Sequence, residues 1–357
     1  MGRAASGEAF RELLDLLRDA DQTFLAGPRA VAGERAIAEG YRHLTHLLGY
    51  AFDLYLESDA ARPAFTPLAS PTQKILGDNV DSLYHFAPLD GRWRYRIHGV
   101  AGNHVYLAFC VYGGKPDGEW SERVVANLSQ GDMHFQTRGE FQISLGPQPS
   151  VGGDHIRLEA DAVCVIVRQY FGDRSTARPA SFEIEAVPPV PAPAPLSDDE
   201  LARRLRAVAT FVRETLNFTP IPPLPMPNVL LPPTPWSPGA LGWGTPDNIY
   251  SLGAFRLAPD EALVVEGRSP RCTYWGVQLW NRYMQSLDYR HHRVSINGTQ
   301  ARLEPDGSFR IVIAHRDPGS PNWLDTAGHE EGLFFCRWLQ ADELPAPLAT
   351  RVVKLDV

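Results

Sequence analysis

Cysteine is scarce in this sequence, and what there is stands alone. Cys110, Cys164, Cys272 and Cys336 sit singly inside apolar, strand-like runs, and none forms a C-x-x-C pair. That pattern predicts buried, reduced thiols in a cytoplasmic protein. A continuous run of about 18 apolar residues is missing, so no segment is expected to cross a membrane as a helix. The opening residues, Met1 to Ser6, lack the apolar core of a signal peptide and lead directly into an amphipathic pattern. A Lys/Arg stripe is also missing, and the net charge is −8, which argues against a nucleic-acid footprint. Neither a Gly-rich phosphate loop nor a G-x-S-x-G nucleophile elbow occurs.

What is present is a message written twice. Asp78-Asn79-Val80-Asp81-Ser82-Leu83 returns as Asp247-Asn248-Ile249-Tyr250-Ser251-Leu252, 169 positions later (from 78 to 247). The following stretches echo as well: Tyr95–Gly99 and Val105–Phe109 against Leu263–Gly267 and Thr273–Val277. Solenoid repeats run roughly 20–50 residues, so this period marks a duplicated domain. The 357 residues, 44% hydrophobic and 21% charged, suffice for two or three ordinary globular domains.

Residues 7–58 read as helices. Phe10, Leu13, Leu14 and Leu17 share one face, Gly27-Pro28 interrupts, and Ile37, Tyr41, Leu44, Leu47 and Leu48 form a second stripe. From about Gly77 the period changes. Short aromatic and β-branched segments predict strands at Trp93–Ile97, Val105–Tyr112, Phe141–Leu145 and Ala162–Tyr170. After a Pro/Ala-rich linker at 188–196, Ser197 and Glu200 form a capping box, and Leu201, Leu205, Val208, Val212 and Leu216 continue it as a helix. A proline-dense stretch from Pro220 to Pro238 is expected to lie extended over a surface, outside any ladder. A second set of strands follows, at Arg256–Leu257, Ala262–Glu266, Thr273–Trp280, Arg293–Ile296, Gln300–Leu303, Ser308–Ala314 and Gly332–Leu339. The expected fold is mainly β: two tandem, duplicated jelly-roll-like sandwiches. The expected divisions are a helical segment over 1–61, a first sandwich over 62–190, a helix and Pro-rich linker over 191–240, and a second sandwich over 241–357.

Lys74 to Asp81, with Asp90-Gly91 and Tyr95-Arg96-Ile97, resembles the N-terminal part of proteins carrying the DUF1214 domain. The body of that domain resembles Asp288–His292, His315–Gly319, Pro321–His329 and Arg337-Trp338. The resemblance covers roughly residues 62–190 and 240–357. It implies a β-sandwich of jelly-roll type and no settled general activity.

The densest polar constellation runs from Asp288 to His329. His291 and His292 follow Tyr289 in a loop too charged for a core strand; it is either a solvated connection or one end of a pocket. His315 and Asp317 share one face of a strand end. That spacing is compatible with a two-His, one-carboxylate metal site, but Pro318-Gly319 makes Asp317 equally suited to start a turn. Asn322-Trp323-Leu324-Asp325-Thr326-Ala327-Gly328-His329 holds a Trp in a polar loop and a carboxylate within reach of an imidazole. Asp325 and His329 can pair for acid–base work, or Asp325 can cap backbone amides while Trp323 plugs the sandwich end. Arg168 and Arg337 occupy matching places in the two repeats, and Asp78 and Asp247 are their natural partners in a structural pairing. Trp280 is among the aromatics that can line a cavity.

These residues predict an enzyme acting on a small, largely apolar or aromatic molecule by hydrolysis, isomerisation or elimination, with no cofactor. Asp325, His329 and His315 would be catalytic. Trp323, Asn322, His291, His292, Tyr289, Arg337 and Trp280 would bind substrate. The alternatives are a non-catalytic ligand-binding or assembly protein, since paired sandwiches also serve as ligand holders and homo-oligomer building blocks, and a metal-dependent oxygenase-like enzyme using His315 and Asp317.

Overall fold

The computed structural model of the chain describes residues 4–23, 29, 31–149, 153–237, 239 and 242–355. It opens with helices α1 (Ala5–Thr23) and α2 (Glu34–Ala51), the second running into a π-helical turn over Phe52–Leu56. The expected break at Gly27-Pro28 lies outside the described residues. Helix α3 (Asp198–Phe218) begins at Ser197, whose hydroxyl accepts the Glu200 amide at 3.2 Å, so the N-cap read from the sequence is present.

The buried faces of α1 and α2 are rotated from the expected stripes. Ala9, Leu13 and Ala20 are buried on α1, while Phe10 is 51% exposed. On α2 the buried line is Gly40, His43, Leu47, Tyr50 and Ala51, and Ile37 and Tyr41 are exposed. Close helix packing selects small side chains, and these leave little trace in a hydrophobic pattern. His43 belongs to this buried face because its Nε2 meets the Thr219 hydroxyl at 2.9 Å and its ring leans on Tyr283.

Nine strands form each sandwich. The first contains β1 (Thr66–Leu68), β2 (Ser82–Pro88), β3 (Tyr95–Val100), β4 (Tyr106–Gly113), β5 (Arg123–Ser129), β6 (Glu140–Gly146), β7 (Asp154–Arg157), β8 (Ala162–Tyr170) and β9 (Ser181–Ala186). The second contains β10 (Thr234–Pro235), β11 (Asn248–Arg256), β12 (Glu261–Gly267), β13 (Tyr274–Trp280), β14 (Ser295–Asn297), β15 (Phe309–Ala314), β16 (Trp323–Asp325), β17 (Glu331–Leu339) and β18 (Ala349–Lys354). A five-stranded sheet ordered β1-β2-β8-β4-β5 faces a four-stranded one ordered β7-β6-β3-β9. The second half repeats this strand for strand, as β10-β11-β17-β13-β14 over β16-β15-β12-β18. Even the parallel pair at one edge, β6 with β7, recurs as β15 with β16. The chain is therefore mainly β, with tandem duplicated sandwiches.

Two local expectations change. Thr234-Pro235, inside the proline-dense stretch, pairs with Tyr250 and Ile249 as an edge strand, just as Thr66-Pro67 does in the first half. An edge strand tolerates proline because one side of its ladder needs no donor. Gln300–Leu303 is not a strand. The Asn297 side-chain oxygen accepts the Thr299 and Gln300 amides and closes a turn there, leaving only a bridge between Leu303 and Phe309.

The two sandwiches meet through the outer faces of their five-stranded sheets. Tyr106, Ala108 and Tyr170 pack against Tyr274 and Leu339, with the Tyr170 ring edge-on to both Tyr106 (5.6 Å) and Tyr274 (5.1 Å). Two reciprocal bonds cross this contact. The Tyr106 hydroxyl donates to Asp247 at 2.5 Å, and the Tyr274 hydroxyl donates to Asp81 at 2.8 Å. Asn127 and Asn297 each add an amide donor to the same carboxylates, at 2.8 and 2.9 Å. The true equivalents in the duplication follow from register. Ser82 lies opposite Tyr170 and Asn248 opposite Leu339, while Phe171 donates to the Asp81 carbonyl and Gln340 to that of Asp247. Asp247 thus corresponds to Asp81 and not to Asp78, so the repeated hexapeptide is offset by three residues from the strand equivalence.

A hydrogen bond to a charged group contributes about 1.5–3 kcal/mol. Tyr274→Phe, which strips the hydroxyl from buried Asp81, is expected to lower stability by about 2 kcal/mol in urea unfolding. Tyr41→Phe, which removes a bond to Asp21 on the exposed face of α2, should stay within about 0.5 kcal/mol.

Candidate functional site

The structure separates the residues that the sequence groups together. Asp325 and His329 do not pair. Asp325 bonds His292 Nδ1 at 2.7 Å through one oxygen and accepts the Ala327 amide at 2.8 Å through the other. It therefore both caps its own turn and orients an imidazole, but the imidazole belongs to a different loop. His329 faces the helical layer: Nε2 meets Glu39 of α2 at 2.8 Å and Nδ1 meets the Thr326 carbonyl at 3.0 Å. The Arg35 guanidinium bonds the Gly328 carbonyl beside it. This corner is a clamp on α2.

His315 is also committed. Its Nδ1 meets the Thr326 hydroxyl at 2.7 Å and its Nε2 the Leu257 carbonyl at 3.1 Å. Asp317 accepts the Gly319 amide and closes a turn. Both His315 nitrogens are thus occupied, and among the described residues no three His, Cys, Asp or Glu side chains converge as a metal site. Asn322 ties its own loop to the Arg302 loop and to β15 by bonding the Arg302 and Arg310 backbones, and Trp323 lies on the outer face of the second four-stranded sheet with its indole N–H on the Ala314 carbonyl. Trp323 therefore plugs no sandwich end. His291 pairs with Asp288, an exposed carboxyl held down to about 2 by that bond, against the pull of desolvation.

Tyr289, Trp280 and Arg337 lie instead at the seam between the halves. Buried Lys74 donates to the Ser286 and Leu287 carbonyls (2.6 and 2.8 Å) and lies 4.8 Å over the Tyr289 ring. Asp78 takes two bonds from Ser286, and Trp280 donates to the Asp78 carbonyl at 3.0 Å. Burial lowers the Lys74 pKa and raises that of Asp78, each partly offset by the other's charge. The expected pairing of Asp78 and Asp247 with the matched arginines is not formed: both carboxylates bond the opposite sandwich. Gly77 has to be glycine here. Its φ is +74°, and a Cβ would come within 2.8 Å of Trp280.

Two depressions in the protein both lie away from the histidine cluster. One is a cavity of about 200 Å³ between α3, the π-helical turn and the outer face of the first five-stranded sheet. Phe86, Cys164 and Trp243 line its apolar side, and Lys115, Glu119, Glu200, Arg203 and Arg204 line its charged side. The π turn adds one residue to the helix and brings both Leu54 and Tyr55 to the cavity. Arg204 fixes this turn, bonding the Leu56 carbonyl at 2.7 Å and Glu200 at 2.7 Å. Glu200 is held near 2 by its bonds to Arg203 and Arg204, opposed by desolvation. Trp243 packs between Phe86, Trp120 and Phe211 and donates to Ser121. The Tyr55 hydroxyl has no hydrogen-bond partner among the described residues, and burial pushes its pKa up, so it stays a neutral donor and acceptor. Burial likewise raises the Cys164 thiol and keeps it unreactive. A more open trough of about 460 Å³ continues along α3 and shares Arg203.

A family model described as DUF1214, a protein of unknown function, matches residues 257–343. The chain belongs to the DUF1214 family. The crystal structure of an uncharacterised protein from Burkholderia cenocepacia is similar to it over 98% of both chains, at 35% identity and a TM-score of 0.89. A protein from Vibrio parahaemolyticus is similar at 14% identity, over 88% of this chain and 97% of its own, with a TM-score of 0.51, which speaks to fold alone. No protein of curated function matches. Among the described residues of this DUF1214 protein, no helix is long and apolar enough to cross a membrane.

Sequence reading missed Tyr55, Phe86, Arg204 and Trp243. The one available signal was Gly242-Trp243-Gly244, a large ring between glycines in a proline-dense stretch. The clamp generates a prediction. His329→Ala should cost about 1–3 kcal/mol in urea unfolding by freeing α2, because it leaves half-buried Glu39 without its partner. His98→Ala, on an exposed ring beside exposed Glu183, should cost under about 0.5 kcal/mol. Equal, negligible losses would contradict the clamp.

Proposed function

We propose that this protein holds one small, largely apolar or aromatic molecule in the cavity between α3, the π-helical turn and the first five-stranded sheet. The observation that carries this reading is the cavity itself: aromatic on one side, charged on the other, with the unpartnered Tyr55 hydroxyl in its wall. An apolar cavity of about 150 Å³ accommodates benzene. About 200 Å³ therefore suits a single ring with one or two small substituents. The charged side chains already pair among themselves, Arg203 and Arg204 with Glu200 and Lys115 with Glu119. Selection then rests on a neutral polar group that exchanges a hydrogen bond with Tyr55, and not on ligand charge. Four free cysteines, three of them buried, support the cytoplasmic setting expected from the sequence.

A second reading assigns acid–base chemistry to His292, supported by the 2.7 Å bond from Asp325 that orients Nδ1 and leaves Nε2 toward the surface. It retains the expected reaction type but exchanges His329 for His292.

Titration calorimetry against phenol, benzyl alcohol, benzoate and 2-naphthol tests the first reading. Phenol and benzyl alcohol are expected to bind, and Tyr55→Phe should weaken binding about 5–10-fold, the loss of one hydrogen bond. Affinity unchanged by Tyr55→Phe, or no binding by any of the four, contradicts it. Loss of turnover of a bound compound in His292→Ala, with affinity intact, would favour the second reading.

A further inference from the structure

Between β9 and α3 the chain runs Val187-Pro188-Pro189-Val190-Pro191-Ala192-Pro193-Ala194-Pro195-Leu196. Every residue from Val187 to Pro195 is either a proline or stands directly before one. A proline ring fixes its own φ at about −65° and pushes the residue before it out of the helical region, so each of these residues is driven toward polyproline II. The structure agrees. No turn or bend interrupts the chain from Pro189 to Ser197. Both ends are fixed, since the Val187 amide donates to the Arg94 carbonyl at 2.8 Å and the Ser197 hydroxyl caps α3.

Little of this stretch is covered. Pro188, Pro189 and every residue from Pro191 to Leu196 are exposed, and Val190 is half-buried. Polyproline II has three residues per turn. Pro189, Ala192 and Pro195 therefore share one edge and Pro191 and Ala194 the next, both exposed, while Val190 lies on the third. Among the described residues, the backbone from Pro188 to Leu196 takes part in one hydrogen bond, from the Arg62 guanidinium to the Pro191 carbonyl. Its other carbonyls are open acceptors. The proline-dense stretch after α3 is different. There the Ile221 and Asn228 amides bond the Arg282 and Ala254 carbonyls, the chain bends at Pro225 and Met226, and Thr234-Pro235 joins a sheet.

We propose that the ridge from Pro188 to Leu196 is a docking site for a protein partner whose groove is lined with aromatic rings. Such rings pack into the hollows between prolines on the exposed edges, and their N–H and O–H groups reach the open carbonyls. The ridge enters the groove with its conformation already set, so little freedom is lost on binding. Asp199, exposed on the first turn of α3, places a carboxylate at one end of the ridge and calls for a basic rim on the groove. The proposal stands whether or not the cavity under α3 takes a ligand.

The test titrates full-length protein into two isotope-labelled probes, a purified WW domain and a purified SH3 domain, whose grooves are of this aromatic kind. Their groove resonances are followed by NMR. At least one probe is expected to show saturable shifts confined to its groove. Pro191→Ala combined with Pro193→Ala should weaken that binding about tenfold or more, with the melting temperature unchanged. Pro222→Ala, in the stretch after α3, should leave it as it is. Absence of groove shifts with both probes overturns the proposal. So do shifts that survive the double variant, or that Pro222→Ala removes. Self-association of the chain that the double variant abolishes would assign the ridge to a second copy, and would overturn it as well.

Discussion

Everything in this molecule is arranged around two tyrosine–aspartate bonds that cross between the halves. Tyr106 reaches Asp247 and Tyr274 reaches Asp81, each repeat giving a hydroxyl to the other's carboxylate. Sheets usually join through apolar faces. Here the outer faces of two five-stranded sheets meet through phenols, carboxylates, amides and two guanidinium groups, packed among aromatic rings. Such a seam tolerates little sliding, since a polar group moved away from its partner in a dry interior loses far more than a displaced methyl group does. Gly276 follows from the same constraint, because a Cβ there would come within 2.6 Å of the Tyr274 hydroxyl that reaches Asp81.

The seam also explains where asymmetry arises. Duplication makes the sandwiches alike, and the tyrosine–aspartate pairs consume what they share. The three helices then cover the two halves differently. Helix α3 lies along the outer face of the first sandwich, where Phe86, Cys164 and Ile166 pack on it, whereas α2 grips the second through Glu39, Arg35 and the Ala36 carbonyl. A cavity lies where α3, the π turn and the first sheet meet. Its counterpart in the second half, around Trp280 and Phe335, is filled by stacked rings. The cavity proposed to take a ligand thus lies under the helical layer of the first half, away from the histidines of the second.

Much of the architecture was legible in the sequence because it depends on near-neighbour signals: strand periodicity, the Ser197 cap, and a duplication with strand runs in matching order. The offset hexapeptide shows the limit. Asp78 and Asp247 align as letters, but Asp81 is the residue that shares Asp247's partner type and backbone contact, and only register reveals that. The helical stripes were placed only in part: Leu13 and Leu17 of α1 and Leu44, Leu47 and Leu48 of α2 pack in the core, whereas Phe10, Leu14, Ile37 and Tyr41 are exposed and Ala9, Gly40 and Ala51 take their place. Asp325 and His329 were paired because they are close in sequence, while the turn at Ala327 and Gly328 carries them to different sides. The cavity was illegible for a related reason. Its walls come from six separate stretches, and each of Tyr55, Phe86 and Trp243 alone looks like ordinary core.

That the two sandwiches behave as one body is tested most directly by scanning calorimetry of the full chain. A seam closed by reciprocal charged hydrogen bonds and clamped by α2 predicts a single transition whose calorimetric and van't Hoff enthalpies agree. Two resolved transitions, one for each sandwich, would contradict it.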